Sequence, residues 1–248
     1  MINKELVKRS FKKNFKTYDD NAFVQKEMAK VLLTLVPEQK YSKVFEIGSG
    51  TGFFTKLFLQ HFSPKQFVAN DIVAESLNYV PDNCEFMGGD IESLSFPDSI
   101  DLVVSNASIQ WVSDITALLA KVYDSLSDDG LFVFSTFGPN NYCELKQVFG
   151  NGLLYVGIEE LKELLGQHFE IIEISEKITE LKFATFKELL THIKLTGVNG
   201  ISSKNLSVSE LKMRESTYKE KFFDQSGYCL TYHPIYVSAK KKFRQNLK

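Results

Sequence analysis

One stretch constrains this chain more than any other: Lys43-Val-Phe-Glu46-Ile-Gly48-Ser49-Gly50-Thr-Gly52. Lys43–Ile47 is a short, mostly apolar run of the kind that forms a strand covered on both faces. The glycines after it let the backbone turn sharply and approach a ligand with no Cβ in the way. Their spacing is GxGxG. A dinucleotide fingerprint, GxGxxG, would place its third glycine at position 53, where this chain has Phe53. Residues 53–62 follow a helical pattern, so strand, tight turn and helix succeed one another.

The alternation continues downstream. Residues 66–70, 84–87, 100–105 and 130–137 read as strands, with helical patterns at 74–79 and 115–126. Strands and helices at this spacing imply an α/β, doubly wound, mostly parallel sheet. Right-handed crossovers place the loops after each strand along one edge, where ligands bind. Upstream, residues 4–16 form a basic amphipathic helix with Leu6, Val7, Phe11 and Phe15 on one side, broken at 17–21. A second helix runs over 22–36 and is stopped by Pro37. Beyond Phe137 the pattern changes. Helices are expected at 142–149, 158–165, 186–195 and 208–222, the last two around a loop at 197–205. A long strand is expected at 169–183 and a closing strand at 229–240.

Carboxylates fall at the ends of successive strands. Glu46 precedes the first glycine by two places, Asp71 ends the second strand and Asp90 follows the third. An acceptor at Asp71 can take both hydroxyls of a ribose. Asp90 can accept from an adenine amine while Ile91 packs on the ring. Each aspartate alone also suits a helix cap. Together with the glycine turn they resemble motif I and its partners in class I S-adenosylmethionine-dependent methyltransferases. The resemblance implies S-adenosylmethionine as cofactor, held by Tyr18, Gln25, Glu46, Gly48, Ser49, Gly50, Gly52, Asp71, Ile72, Asp90, Ile91 and Asn106. The fourth strand ends in Ser105-Asn106-Ala-Ser-Ile-Gln110-Trp111 and lacks the Asn/Asp-Pro-Pro-Tyr/Phe tetrad that base-amine methylases share. With a net charge of −2, nucleic acid is not an expected partner. Asn106 reads as holding the methionine end of the cofactor. Trp111 reads either as a wall of the methyl pocket or as plain core.

A narrower resemblance rests on further segments: Phe15-Lys-Thr-Tyr18-Asp19 followed by Ala22-Phe-Val-Gln25, Asp90-Ile-Glu-Ser-Leu94, Ser105-Asn-Ala-Ser-Ile-Gln-Trp111 and Phe134-Ser-Thr-Phe-Gly138. Lys194-Leu-Thr-Gly197-Val-Asn199 and Thr231-Tyr232-His233 complete the set. From about residue 3 to 240 the chain is similar to malonyl-acyl-carrier-protein O-methyltransferases of biotin synthesis. Ser49 departs from the Cys often found there. The resemblance implies methyl transfer from S-adenosylmethionine to the free carboxylate of a malonyl thioester on acyl carrier protein. This masks the charge, so fatty-acid synthesis enzymes accept the chain as an apolar primer. A malonyl carboxylate is already ionised at neutral pH. The site need only align the reactants and exclude water, so no catalytic acid or base is assigned. Tyr18, Gln110, Trp111, Lys194, Tyr232 and His233 are the substrate-positioning candidates. Tyr232 and His233 are adjacent on a strand and cannot both face one pocket. Lys194 either steers the carboxylate or lies on the surface.

The expected organisation is one methyltransferase domain over 1–248: an N-terminal helical cap (1–37), a cofactor-binding core (38–138), remaining core (139–183 and 227–240) and a helical lid insertion (184–226). Residues 1–16 and 236–248 each carry a net charge of +5. They suit docking of the acidic carrier or simple solvation. Malonyl-coenzyme A is a second candidate acceptor. Cys84, Cys143 and Cys229 show no metal-ligand spacing, so no metal is expected. They read as reduced thiols of a cytoplasmic protein. No apolar run is long enough for a membrane span, there is no apolar signal core, and a monomer is favoured. Two rivals remain: a methyltransferase for another small carboxylate, phenol or quinone, and a non-catalytic S-adenosylmethionine-binding protein.

Overall fold

In the computed structural model, which describes residues 3–150, 152–196 and 207–243, five strands run parallel. They are β1 (Lys43–Ile47), β2 (Gln66–Asp71), β3 (Glu85–Gly88), β4 (Ile100–Ser105) and β5 (Leu126–Phe137). Their order is β3-β2-β1-β4-β5. Beyond β5 the sheet is completed by β10 (Pro234–Lys241) and then β6 (Phe169–Glu176), with β10 antiparallel to both neighbours. A second sheet, of order β7-β9-β8, joins β7 (Thr179–Phe183), β8 (Phe223–Asp224) and β9 (Gly227–Tyr232).

Consecutive strand residues point to opposite faces, and apolar runs serve both. Phe45, Val103 and Phe132 meet α4 (Ile115–Ser125) and α6 (Ile158–Gly166) through Leu118, Val122, Leu161 and Leu165. Val44, Leu102 and Val133 meet α2 (Phe23–Thr34) and α3 (Phe53–Leu59) through Ala29, Leu32, Phe54 and Phe58. Full burial of a ring such as that of Phe58 stabilises the fold by roughly 2–3 kcal/mol. Because β1 lies between β2 and β4, the connections from β1 and β4 depart to opposite sides. A crevice opens at their carboxyl ends.

Three expectations are corrected here. The first helix, α1 (Lys4–Asn21), does not break at Thr17. Thr17 Oγ1 and Asn21 Nδ2 bond back to the carbonyls of Asn14 and Thr17, so these polar residues stay helical. The joint falls at Ala22, whose N–H donates to Tyr18 O at 2.8 Å. The long strand over 169–183 divides into β6 and β7, which belong to different sheets. The closing strand divides in the same place, at His233, because Pro234 has no N–H with which to continue the ladder. Lys177 N donates to Pro234 O at 2.9 Å, so both chains leave the large sheet together.

The small sheet is covered by α7 (Phe186–Leu195) and α8 (Val208–Phe222), each opened by a capping box, Thr185 with Glu188 and Ser207 with Glu210. Together with α5 (Cys143–Phe149) they enclose a separate core of Val24, Met28, Leu145, Leu189, Tyr218 and Tyr232. The insertion over 184–226 therefore carries strand as well as helix. The expected loop at 197–205, with the Gly197-Val-Asn199 part of its motif, lies outside the described residues, as do Arg244 and Lys248. Among the described residues, no helix is long and apolar enough to cross a membrane.

Candidate active site

The glycine turn is pinned to the end of β2, where Gly48 N and Ser49 N both donate to Asn70 O, at 2.9 and 2.8 Å. Gly48 has φ +75°, and a Cβ there would lie 2.0 Å from Ser108 Oγ. Gly50 has φ +52°, and its missing Cβ would meet nothing within 4 Å. Gly48 is thus required by packing, whereas Gly50 keeps a cradle open. Gly52 packs against the Tyr79 carbonyl and is not part of the lining of the cavity described next.

The cradle is the floor of a cavity of about 900 Å³, counting its open mouth, a size that suits a cofactor. Helix α1 forms its roof through Phe11, Phe15 and Tyr18; Gln25, Glu46, Ser49, Asp71, Ile72 and Asn106 line its walls. Asp19 accepts from Thr51 Oγ1 at 2.7 Å and ties the roof to the glycine turn. A second hollow, sharing Gly48, Asp71, Ile72 and Trp111, continues to Asp90 and Ile91. The proposed cofactor residues are therefore brought together, apart from Gly52.

The cavity is desolvated and acidic. Glu46 is only 1% exposed and accepts from Thr55 Oγ1 at 2.5 Å. Burial, with a smaller push from Asp71, raises its carboxyl pKa to about 7. Burial also raises Asp71, even though Gly50 N–H and Val73 N–H donate to its two oxygens at 2.8 and 2.7 Å. Lys26 is the one cation on the wall among the described residues, and its Nζ lies 5.1 Å from the centre of the Phe53 ring. Gln25 Oε1 and Ser49 Oγ are buried with no partner. Buried carboxylates facing open space, with orphaned acceptors beside them, fit a cationic ligand that carries hydrogen-bond donors.

Asp90 has a double setting. Its Oδ1 accepts from Glu92 N at 3.0 Å, a local turn, and its Oδ2 pairs with Lys4 Nζ at 2.6 Å. Lys4 also pairs with Glu92. This clasp joins the start of α1 to the loop after β3. In sequence Lys4 is one of several basic residues, with no signal to single it out. The Asn106 amide is occupied: Oδ1 accepts from Ser135 Oγ at 2.8 Å and Nδ2 donates to Gln25 O at 3.1 Å. It frames the crevice by holding β4 against α2.

Trp111 stands where the two hollows meet a third, edge-on to Phe11 at 5.9 Å, and its buried Nε1 has no partner. The third hollow is lined by Tyr18, Gln110, Asn141, Tyr142, Tyr155 and Thr196, among others. Gln110 spends its Nε2 on Ala107 O at 2.6 Å. Tyr232 is fully buried one layer behind, its Oη 2.8 Å from Tyr142 Oη and 2.7 Å from His192 Nε2. Sequence reasoning missed Tyr142, Tyr155 and His192, whose place depends on contacts distant along the chain.

Besides Tyr232, two further candidates do not reach these hollows. His233 is the junction between β9 and β10, with Nε2 2.9 Å from Glu176 Oε2 and Nδ1 accepting from Asn140 N at 3.2 Å. Lys194 is exposed on the outer side of α7, in a groove with Lys187, Leu190 and Leu211. The carboxyl-terminal lysines are also displaced. Lys240 pairs with Asp129, and Lys241 donates to Leu126 O, at the edge of the sheet opposite the crevice.

Comparison with known proteins decides the family. A family model described as "Methyltransferase domain" matches residues 45–134. A malonyl-[acyl-carrier protein] O-methyltransferase of Chlorobium luteolum is 35% identical over 255 residues, covering 98% of this chain and 97% of its own. That of Chlorobium phaeovibrioides is 36% identical over 252 residues, covering 96% and 97%. The chain belongs to the malonyl-acyl-carrier-protein O-methyltransferase family. The solved N-methyltransferase NodS of Bradyrhizobium japonicum shares the fold, with a TM-score of 0.60 and 15% identity over 96% of this chain and 99% of that one. The methyltransferase thus has the doubly wound sheet expected from its strand alternation and the class I, Rossmann-like fold that the resemblance implied, and its cofactor is S-adenosylmethionine. The acidic, orphan-lined cavity matches that cofactor's sulfonium, ammonium and ribose hydroxyls.

Proposed function

We propose that this cytoplasmic methyltransferase esterifies the free carboxylate of a malonyl thioester carried on acyl carrier protein, an early step of biotin synthesis. The observation that carries the reading is the third hollow. It opens off the cofactor cavity at Trp111 and Tyr18, and among the described residues its lining holds hydroxyl, amide and indole groups but no acid, base or cation. A reaction that required proton removal would need a base there. A carboxylate acceptor needs none, because it arrives ionised. S-adenosylmethionine, when bound, supplies an electrophilic methyl. An acceptor oxygen takes that methyl, the carbon–sulfur bond breaks with its electron pair going to sulfur, and no proton moves. The chain's part is to hold the two reactants in line and keep water out. Glu46, Asp71 and the glycine turn support binding on one side of Trp111, and Tyr18 and Phe11 roof both sides.

The acidic carrier suits the faces that flank the hollow. α1 exposes Arg9, Lys13 and Lys16, and α7 exposes Lys187 and Lys194. Asn14 Nδ2 donates to Lys194 O at 2.7 Å and holds the two helices side by side. Like charges gathered on one face steer an oppositely charged partner. The test is mass spectrometry of malonyl-acyl carrier protein incubated with the protein and S-adenosylmethionine, beside malonyl-coenzyme A and unmalonylated carrier. Gain of one methyl, removed by an esterase, on the malonyl carrier is expected. No gain on any malonyl thioester, with cofactor binding confirmed, overturns the proposal and favours another acceptor or a non-catalytic role.

A further inference from the structure

We propose that the open groove between α7 and α8 seats the carrier protein, and that it receives an acidic amphipathic helix whose carboxylates meet Lys187 and Lys194. The inference rests on the carrier-methylation reading and names the surface that the partner uses. Lys187, Leu190, Thr191 and Lys194 follow the i, i+3, i+4, i+7 spacing, so they form one stripe along α7. It runs opposite the buried face made by Leu189, His192, Ile193 and Thr196. The facing wall comes from Leu211 and Glu215, one turn apart on α8. The groove holds about 770 Å³, counting its open side. Both lysines are exposed, and among the described residues no ion pair holds either one.

Charge and shape commit the groove to this occupant. Two lysines at i and i+7 stand about 10 Å apart along the helix axis. Between them the floor is uncharged, made by Leu190 and Thr191. Val208, one turn before Leu211, is 75% exposed and extends the apolar wall. An amphipathic helix buries its apolar side in a groove of this kind, and carboxylates about two turns apart on it reach both lysines. Glu215 is the one acid in the lining among the described residues, and it stands on the α8 wall. It repels carboxylates on that side, so the acidic edge of the partner faces α7. The place also suits delivery. Thr196, two residues after Lys194, lines the acceptor hollow. Lys194 O is held by Asn14 of α1, the helix that roofs the hollow. A carrier seated in the groove therefore stands beside the hollow that its thioester must enter.

The experiment is steady-state kinetics of the full chain with S-adenosylmethionine, using malonyl carrier and malonyl-coenzyme A as alternative acceptors. Cofactor affinity, measured separately, serves as the check on folding. Thr191→Glu sets a carboxylate between two lysines of its own helix, where it favours the helix but repels an acidic partner. It is expected to raise KM for the carrier about 10-fold at low salt, with kcat and the coenzyme A thioester unaffected. Lys187→Glu combined with Lys194→Glu is expected to act alike. Its ratio to the wild type falls toward one at about 1 M salt, where charges are screened within about 3 Å. Leu211→Gln removes apolar contact, so its roughly 5-fold rise in carrier KM persists at that salt. An unchanged carrier KM in folded Thr191→Glu, or an equal loss with both acceptors, overturns the proposal. So does a Leu211→Gln that shifts melting or oligomeric state and leaves the carrier KM unmoved, because the groove is then covered by this chain or by a second copy. If the wild type methylates neither thioester, it is the reading of function that fails. Fluorescence anisotropy of labelled malonyl carrier then tests the groove. Saturable binding weakened by Thr191→Glu supports it, and the absence of such binding refutes it.

Discussion

Replacing Glu46 by Gln should remove a proton from the cofactor-binding equilibrium. In the free protein the Glu46 carboxyl has a pKa near 7, raised by burial. A cation bound in the cavity restores the ionised form and returns that pKa to, or below, its ordinary value of 4.5. Affinity for S-adenosylmethionine then rises with pH until Glu46 is ionised in the free protein as well. For these two values the linkage gives a loss of roughly 30-fold in affinity between pH 8 and pH 5.5. The protein's own stability moves the opposite way. The folded-state pKa lies above the unfolded one, so the folded state holds the extra proton between pH 4.5 and about 7, and stability falls as pH rises through that window. The full cost is on the order of 3 kcal/mol.

Isothermal titration calorimetry in two buffers of different ionisation enthalpy measures both the affinity and the protons released. At pH 7 the wild type should release about half a proton more than Glu46→Gln. The ligand's own amine titrates identically in both proteins, so the difference isolates Glu46. The variant should bind the cofactor more weakly at pH 8, yet melt no lower than the wild type when ligand-free. Identical pH dependence in the two proteins would refute the assignment of Glu46 as the proton-linked wall of the cavity.

The remaining expectations separate packing from binding. Gly48→Ala adds both an unfavourable φ and a collision with Ser108, and should lower stability by about 2–4 kcal/mol in denaturant unfolding. Gly50→Ala carries the backbone penalty alone, about 1–2 kcal/mol, but its Cβ projects into the cradle, so cofactor affinity should fall in a protein that still folds. Leu189→Ala, emptying a fully buried position under the small sheet, should cost roughly 2–5 kcal/mol and is read by thermal melting. Lys194→Ala should leave kcat and KM for malonyl-coenzyme A unchanged while raising KM for the malonyl carrier at low salt only. An equal loss with both acceptors would place Lys194 at the hollow after all.

What could be read in the sequence was local. The glycine spacing, the apolar runs and the carboxylates at the ends of β1 and β2 and after β3 depend on neighbours, and the structure gathers these carboxylates around two adjoining hollows. The two strand divisions depend on Lys177 meeting Pro234, a pairing across most of the insertion that alternation cannot reveal. Tyr142 reads as the opening of a helix, and its meaning comes from Tyr232, 90 residues on. Lys194 was legible in part. Leu189, His192, Ile193 and Thr196 are buried and form the i, i+3, i+4, i+7 face of α7, which turns Lys194 outward. The adjacency of Tyr232 and His233 already forced them apart, but only the structure shows that neither side chain enters the hollow directly.

The arrangement of charge bears on why such a site works without an acid or base. The cofactor side is acidic through Glu46 and Asp71, and among the described residues the acceptor side carries no formal charge. In the proposed reaction a carboxylate and a sulfonium become an ester and a thioether, so opposite charges disappear as the transition state is approached. Water stabilises the separated ions more than the charge-dispersed transition state. A junction walled by Trp111, Phe11 and Tyr18 removes part of that advantage. Acidic groups near the cofactor cost little rate if they act on its ammonium and ribose and leave the sulfonium free. A lysine beside the acceptor would restore the ground-state stabilisation that the apolar junction takes away. The location of Lys194 outside the hollow is therefore consistent with the chemistry, because a cation is useful for drawing in the carrier and harmful where the methyl is transferred.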